Sequence, residues 1–150
     1  MKHFIVFMFF SIIIFTNSNL NAQVNTSKVY RVVDEMPVLP SCHTLSSNEE
    51  RKSCTDAELI KYMKQNIHYP DTTGDNNLTD LAIVEFVVSK DGQIINTKII
   101  KNTEGGYANE LVRVLHKMND DNIVWTPGQQ DGEKVMVQFY LPMRFKMPSY

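Results

Sequence analysis

The clearest pattern in this chain is a strict alternation of apolar and polar positions near its C-terminal end. It predicts a long strand over residues 134–146, with one face in a core and the other face more polar. The apolar face carries Val135, Val137, Phe139, Leu141, Met143 and Phe145. Pro142, on the other face, has no N–H to donate to a ladder, so we expect this strand to lie at an edge of its sheet.

A β-hairpin is predicted in the middle of the chain. Residues 81–89 (LAIVEFVVS) form a strand that is apolar on both faces over much of its length, which favours a central place in a sheet. Gly92 suits the turn, where positive φ is needed, and residues 93–101 (QIINTKIIK) form the returning strand. The β-prone residues 28–33 (KVYRVV) add a short N-terminal strand.

Two helices are predicted by apolar positions at helical spacing. A capping box formed by Thr55 and Glu58 begins the first helix, which must end before Pro70. Its apolar face carries Ile60, Met63 and Ile67. The second helix covers residues 107–118, and its apolar face is lined by Tyr107, Leu111, Val114, Leu115 and Met118. Such stripes are more typical of a core than of a cofactor site.

The order of these elements defines a topology. The two hairpin strands run in opposite directions, and the second helix returns the polypeptide to the starting end before the C-terminal strand. In a fully antiparallel sheet the C-terminal strand then lies beside the first hairpin strand. The predicted fold is α+β: a three-stranded antiparallel sheet in the order 2-1-3, with two helices on one face and the short N-terminal strand added.

Residues 1–22 have the pattern of a secretory signal peptide. A short basic start is followed by residues 4–15 (FIVFMFFSIIIF), which are nearly all apolar, and by small polar residues that end at Ala22. The apolar run reaches roughly 18 Å as a helix, short of the ~30 Å hydrocarbon core, which disfavours the alternative of an uncleaved inner-membrane anchor. We expect cleavage near Ala22, no retained membrane span and an oxidising compartment outside the cytoplasm.

Two cysteines flank a short polar loop. In an oxidising compartment a Cys42–Cys54 disulfide would stabilise the fold by about 3 kcal/mol, by closing that loop. The alternative is a metal site in which His43 and His68 join the two cysteines. Neither the spacing of these residues nor the compartment favours a metal site.

Composition and motifs exclude several classes of function. The formal charge is −2, whereas nucleic-acid binding depends on an excess of Lys and Arg. The sequence has no Gly-x-Ser-x-Gly, His-Glu-x-x-His or Cys-x-x-Cys motif and no glycine-rich phosphate loop. With 43% apolar and 21% charged residues it is typical of a globular protein. We therefore expect a folded protein that is not an enzyme and needs no cofactor or metal.

Several short segments, in their order and spacing, resemble the TonB C-terminal domain family. They are Tyr69-Pro70 after the first helix, the hairpin at residues 84–92, the stretch at 125–128, the stretch at 132–135 and the strand at 137–145. The resemblance covers about residues 55–147. It divides the sequence into a signal peptide (1–22), an N-terminal extension with the cysteine pair (23–54) and a TonB C-terminal-like domain (55–150).

The resemblance implies a periplasmic module that binds a short extended peptide, the TonB box, of TonB-dependent outer-membrane transporters. In the family this binding serves energy-dependent transport. The implied mode is strand addition, in which the peptide pairs with an open sheet edge. The expected contact positions are Val137, Gln138, Phe139 and Tyr140 on the C-terminal strand, and Tyr69 and Pro70 with Asn66 and His68 as their neighbours.

Two further expectations concern the open edge. The N-terminal strand at residues 28–33 can itself pair with this edge and block it. Alternatively, the edge serves self-association into a homodimer, or binds another periplasmic protein, with no role in energy transduction. We expect neither a retained anchor nor a long proline-rich spacer, so the protein alone would not carry force between two membranes.

Overall fold

The computed structural model describes residues 28–68, 79–103 and 105–146, and the predicted signal peptide and Tyr69-Pro70 lie outside them. The strands are β1 (Val29–Tyr30), β2 (Thr79–Val88), β3 (Ile94–Lys101), β4 (Gly128–Gln130) and β5 (Glu133–Lys146). The helices are α1 (Asn48–Asn66) and α2 (Tyr107–Asp120), preceded by a short 3-10 helix (Pro40–Cys42). Among these residues no helix is both long enough and apolar enough to cross a membrane.

The main sheet has the strand order β1-β5-β2-β3, and β4 pairs separately with β5. β2 lies antiparallel to both β3 and β5, which confirms the central place predicted for the first hairpin strand. The sheet is nevertheless mixed and five-stranded, not the three-stranded antiparallel sheet of the prediction, because β1 runs parallel to β5. β1 lies within the N-terminal strand predicted at residues 28–33, although it has only two residues, whereas β4, with three residues, is too short to leave a periodic pattern in the sequence.

The first helix begins earlier than predicted. Ser47 caps α1: its hydroxyl accepts from the Glu50 N–H, and the Glu50 carboxylate accepts from the Ser47 N–H, both at 3.2 Å. The predicted cap at Thr55 is wrong, because Thr55 is buried inside the helix and its hydroxyl accepts from the Leu39 N–H. Ser47 and Thr55 are each followed three residues later by Glu, so both match the pattern of a capping box.

Both helices pack against the same core. Leu59 and Met63 of α1 and Leu111 and Val114 of α2 belong to one buried cluster with alternate residues of β2 and β5. The predicted apolar face of α2 is confirmed, since every one of its members is buried: Tyr107, Leu111, Val114, Leu115 and Met118. A second, smaller cluster joins Val33 of the N-terminal extension to Val135 and Val137 of β5. The extension is therefore part of the fold.

Candidate functional site

The free side of β5 is the first feature of the site. On one side, β5 pairs with β2 from Val137 to Lys146. On the other side, β1 pairs with Met136 and Val137. Within the described ranges no strand pairs with that second side along residues 138–145, which we call the open edge.

The N-terminal strand covers Met136 and Val137, the two residues of β5 before the open edge, and the sequence had allowed for such pairing. Tyr30 is the register partner of Val137, and it packs against the cluster of Val33, Val135 and Val137. The Lys28 ammonium lies 4.4 Å from the centre of the Tyr30 ring. Val137 therefore has strand neighbours on both sides here, which corrects the expectation that it offers a free edge. Gln138, Phe139 and Tyr140 lie on the open edge.

Side chains of the open edge alternate between two environments. On the outer face of the sheet, the Gln138 amide donates to the Glu85 carboxylate at 2.9 Å and to the Tyr140 hydroxyl at 2.7 Å. The Tyr140 side chain is 48% exposed. On the inner face, Phe139 stacks on Phe86 with ring centres 5.3 Å apart. The side chains of Gln138 and Phe139 are thus held by neighbours, while no strand in the described part of the protein pairs with the open edge.

A groove of about 490 Å³ lies where the open edge meets α1. Residues 138–142 line one wall, and α1 contributes Leu59 and Ile60 together with the charged pair Lys52 and Asp56. The Lys52 ammonium lies 2.5 Å from the Asp56 carboxylate. The groove thus joins an apolar surface to a strand edge. No sequence pattern indicates the contribution of α1, because it depends on how the helix sits over the sheet.

Arg31 stands at one end of the groove, directly after β1. Its side chain is exposed, and it forms no ion pair or hydrogen bond with any residue that the structure describes. Arg31 is absent from the predicted site residues because the pattern of residues 28–33 indicates only a strand. Among the described residues that line the groove, Arg31 is therefore the cation without an ion-pair partner.

The disulfide joins the short 3-10 helix to α1. Cys42, in the 3-10 helix, forms a disulfide with Cys54 of α1, and their Cα atoms are 5.8 Å apart. The disulfide uses both cysteines, so they are not available for the alternative metal site with His43 and His68. No cluster of metal-binding side chains occurs among the residues that the structure describes.

Backbone pairs continue this attachment along the extension. Glu35 and Gln129 exchange hydrogen bonds of 3.1 and 2.8 Å, and Val38 and Thr126 exchange bonds of 3.1 and 2.9 Å. The Asp34 carboxylate accepts from the Gln130 amide at 3.0 Å. These contacts hold the segment that follows β1, so β1 is tethered close to the edge that it covers.

Tyr69 and Pro70 lie outside the described residues, but their predicted neighbours are placed. The Arg113 guanidinium of α2 donates to the Asn66 carbonyl at 2.6 Å, and the His68 N–H donates to the Glu110 carboxylate at 3.0 Å. The hydrogen bond from Arg113 lowers the pKa of Glu110, and burial of the carboxyl opposes this shift. Residues 66–68, which precede Tyr69, are thus bound to α2.

Another contact joins the two helices. The Tyr62 hydroxyl of α1 donates to the Asp121 carboxylate just after α2, at 2.6 Å. Burial, and then this hydrogen bond, raise the pKa of Tyr62. Together with Arg113 and Glu110, this bond fixes the second half of α1 against α2. The contacts with α2 therefore stabilise the position of α1, which forms one wall of the groove.

Trp125 lies behind the edge, in the core. It is 1% exposed, and its ring centre is 5.8 Å from that of Phe139 and 6.2 Å from that of Phe86. The indole N–H has no hydrogen-bond partner among the described residues. Trp125 therefore supports Phe139 from inside the core and is not itself a surface contact.

One comparison with known proteins gives a match. The family model for the C-terminal region of the Gram-negative bacterial TonB protein matches residues 65–147. This range begins in the last turn of α1 and includes α2 and β2 to β5, so it contains the whole open edge. No curated protein and no solved structure matches the sequence. β1, Arg31 and the disulfide lie outside the matched range.

Proposed function

Because this chain belongs to the TonB C-terminal family, we propose that it binds a short extended peptide segment of an outer-membrane transporter, in the periplasm, by strand addition. The family is one of non-enzymatic interaction domains that are associated with outer-membrane transporters and are typically periplasmic. The observation that carries the proposal is the open edge at residues 138–145, next to a groove. We also propose that an export signal, cleaved near Ala22, brings the protein to the periplasm.

Pro142 indicates which residues would face the guest. It pairs with Ile83 in a ladder without register shifts, although it has no N–H. A proline is tolerated in a strand where its N–H side faces away from the neighbouring strand. Since the backbone groups of a strand alternate between its two sides, Gln138 and Tyr140 then present their N–H and C=O groups to the open edge.

This alternation divides the proposed contact positions into two kinds. Gln138 and Tyr140 pair with the guest backbone, whereas Phe139 turns its backbone toward β2 and offers its side chain to the groove. Val137 becomes a contact only if β1 leaves. Tyr69-Pro70 remain predicted neighbours of the partner.

The groove indicates the character of the guest. Side chains of an added strand alternate between the two faces of the sheet. Those on the inner face would meet Leu59, Ile60 and Phe139, which favours apolar residues. The open edge is about eight residues long, or roughly 26 Å at ~3.3 Å per residue, so it accommodates one short segment.

A peptide titration followed by backbone NMR tests the proposal. The probe is a capped peptide of alternating Thr and Val, which has a regular extended backbone. We expect saturable chemical-shift changes along residues 138–145 and in the groove residues of α1. Concentration-dependent changes without peptide would instead support self-association, the alternative function of this edge.

A proline substitution separates edge pairing from other modes of binding. Gln138→Pro removes one N–H from the open edge and leaves a guest carbonyl unpaired, so we expect binding to be lost. Gln138→Ala is the matched control, since it removes the same side chain and keeps the N–H, and it should bind. If the proline variant folds and binds as the alanine variant does, the edge is not the site.

A further inference from the structure

We propose that β1 is a fixed stop at one end of the open edge and that Arg31, at this stop, recognises a carboxylate of the guest segment. The inference rests on the proposed function and makes it more specific. The residues that carry it belong to the N-terminal extension, which lies outside the range that the family model matches.

β1 stays in place beside Met136 and Val137. It is short, but the segment that follows it is fixed by the Asp34 carboxylate, the backbone bonds of Glu35 and Val38, and the disulfide at Cys42. Tyr30 is also packed against the small cluster around Val137. A guest strand therefore begins where β1 ends, at Gln138, and its register is limited by that boundary.

Arg31 lies at the β1 end of the open edge. Tyr30 is the register partner of Val137, Arg31 follows Tyr30 directly in the sequence, and Gln138 follows Val137 as the first position of the open edge. Arg31 and Gln138 both line the groove. A guest that occupies the edge thus places one of its ends next to this guanidinium.

Three charged side chains line the groove, and two of them, Lys52 and Asp56, neutralise each other in an ion pair. Arg31 keeps an unpaired positive charge, counted over the residues that the structure describes. A guanidinium is suited to a carboxylate because its planar N–H groups form two parallel hydrogen bonds with it. The partner is therefore an extended apolar segment with a carboxylate at its β1 end.

Two sources can supply this carboxylate: an Asp or Glu side chain, or the free C-terminus of the guest. The test compares capped Thr-Val peptides that carry Glu or Gln at the first position, Glu or Gln at the last position, or Gln with a free C-terminus. We expect one carboxylate peptide to bind roughly 2- to 5-fold more tightly than its neutral counterpart, as for an exposed ion pair. The position that gives this gain identifies the source and the direction of the guest.

Substitution of the cation completes a double-mutant cycle. Arg31→Gln should remove the preference for the carboxylate, so that each carboxylate peptide and its neutral counterpart bind this variant with equal affinity. Lys64→Gln is the control, since it removes an exposed cation of α1 that does not line the groove. A preference that survives in Arg31→Gln, or that is absent from the unsubstituted protein, overturns the inference while the proposed function stands.

Other outcomes bear on both proposals. If no peptide binds, or if the protein only pairs with a second copy, the proposed function and this inference both fail. If peptide-induced shifts extend to Met136 and Val137, the guest displaces β1, and the fixed stop is refuted while binding at the edge is retained. The two failures are therefore distinguished in one set of spectra.

Discussion

The main sheet has a long strand on each side, β5, whose outer side pairs with the two-residue β1 at one end, and β3 on the opposite side, and these two strands differ in regularity. β5 pairs with the ten residues of β2 without a register shift. The pairing of β3 with β2 has two shifts, and Asn96 of β3 has a φ of 51°. Lys98 and Lys101 of β3 are exposed. Bulges and lysines make an edge a poor template for a further strand, so β5 is the better candidate for strand addition.

The two edges also differ in what stands next to them. At the start of β3, the Asn119 side chain of α2 accepts from the Ile94 N–H at 3.0 Å and donates to the Ile94 carbonyl at 2.8 Å. The hydroxyl of Thr97 lies 3.0 Å from the His116 ring. The backbone of β3 is thus partly satisfied by α2, whereas β5 beyond Val137 meets a groove. A sheet can therefore protect one edge with side chains of a helix and leave the other available.

The largest expected effect on the β5 side of the sheet comes from removing the disulfide. Replacing Cys42 and Cys54 together by Ala should lower the free energy of unfolding by about 3 kcal/mol, because the loop of the unfolded protein is no longer closed. Urea denaturation of both proteins measures the difference. The extension should also loosen, so a guest peptide should then shift Met136 and Val137 as well. Equal unfolding free energies would show that closing this loop in the unfolded protein does not stabilise the fold.

A smaller effect is expected from Asn119→Ala at the other edge. The change leaves the N–H and C=O of Ile94 without the Asn119 side chain, and we expect a loss of about 1–2 kcal/mol in unfolding free energy. Peptide-induced shifts should remain confined to residues 138–145, since the bulges of β3 persist. Asn109→Ala is the control, because Asn109 is an exposed residue of the same helix whose side chain forms no hydrogen bond with any residue that the structure describes. Peptide binding at β3 in the Asn119 variant would refute the argument from regularity.

The long elements could be predicted from the sequence because their signal is repeated many times. The alternation along β5 and the apolar face of α2 each span several turns or pairs, and strand direction then places the first hairpin strand in the centre. Pro142 predicted an edge position for β5, which holds along residues 138–145 within the described ranges, whereas at Met136 and Val137 β1 pairs on the outer side. Local chemistry was therefore sufficient for the core of the fold and for the strand that carries the candidate site.

The remaining features depend on contacts between distant parts of the sequence. The start of α1 could not be chosen from two equivalent capping boxes, and the parallel pairing of Tyr30 with Val137 joins residues far apart in sequence. The groove likewise needs α1 placed over β5. Neither its apolar wall nor the unpaired Arg31 leaves a pattern among neighbouring residues.

The smallest predicted effect is the loss of unfolding free energy in acid, at the contact between α1 and α2. The Arg113 hydrogen bond lowers the pKa of Glu110 below its ordinary value of 4.5 in the folded protein. A carboxyl with a lowered pKa in the folded state stabilises the fold above its unfolded pKa, and this stability is lost as the pH falls through the lowered pKa. Acidification below about pH 4.5 should therefore weaken the contact between α1 and α2, by less than about 1 kcal/mol because solvent screens the pair.

Urea denaturation as a function of pH measures this contribution. Glu110→Gln should flatten the decline in unfolding free energy below about pH 4.5, whereas Glu133→Gln, which removes an exposed carboxyl outside this contact, should keep it. Because Glu110 lies on α2 and does not line the groove, its loss should leave peptide affinity at neutral pH unchanged. If the unfolding free energy of Glu110→Gln still declines in acid as it does in the unsubstituted protein, carboxyl groups other than Glu110 cause the decline. A loss of peptide affinity would mean that the two sides of the molecule are coupled through α1.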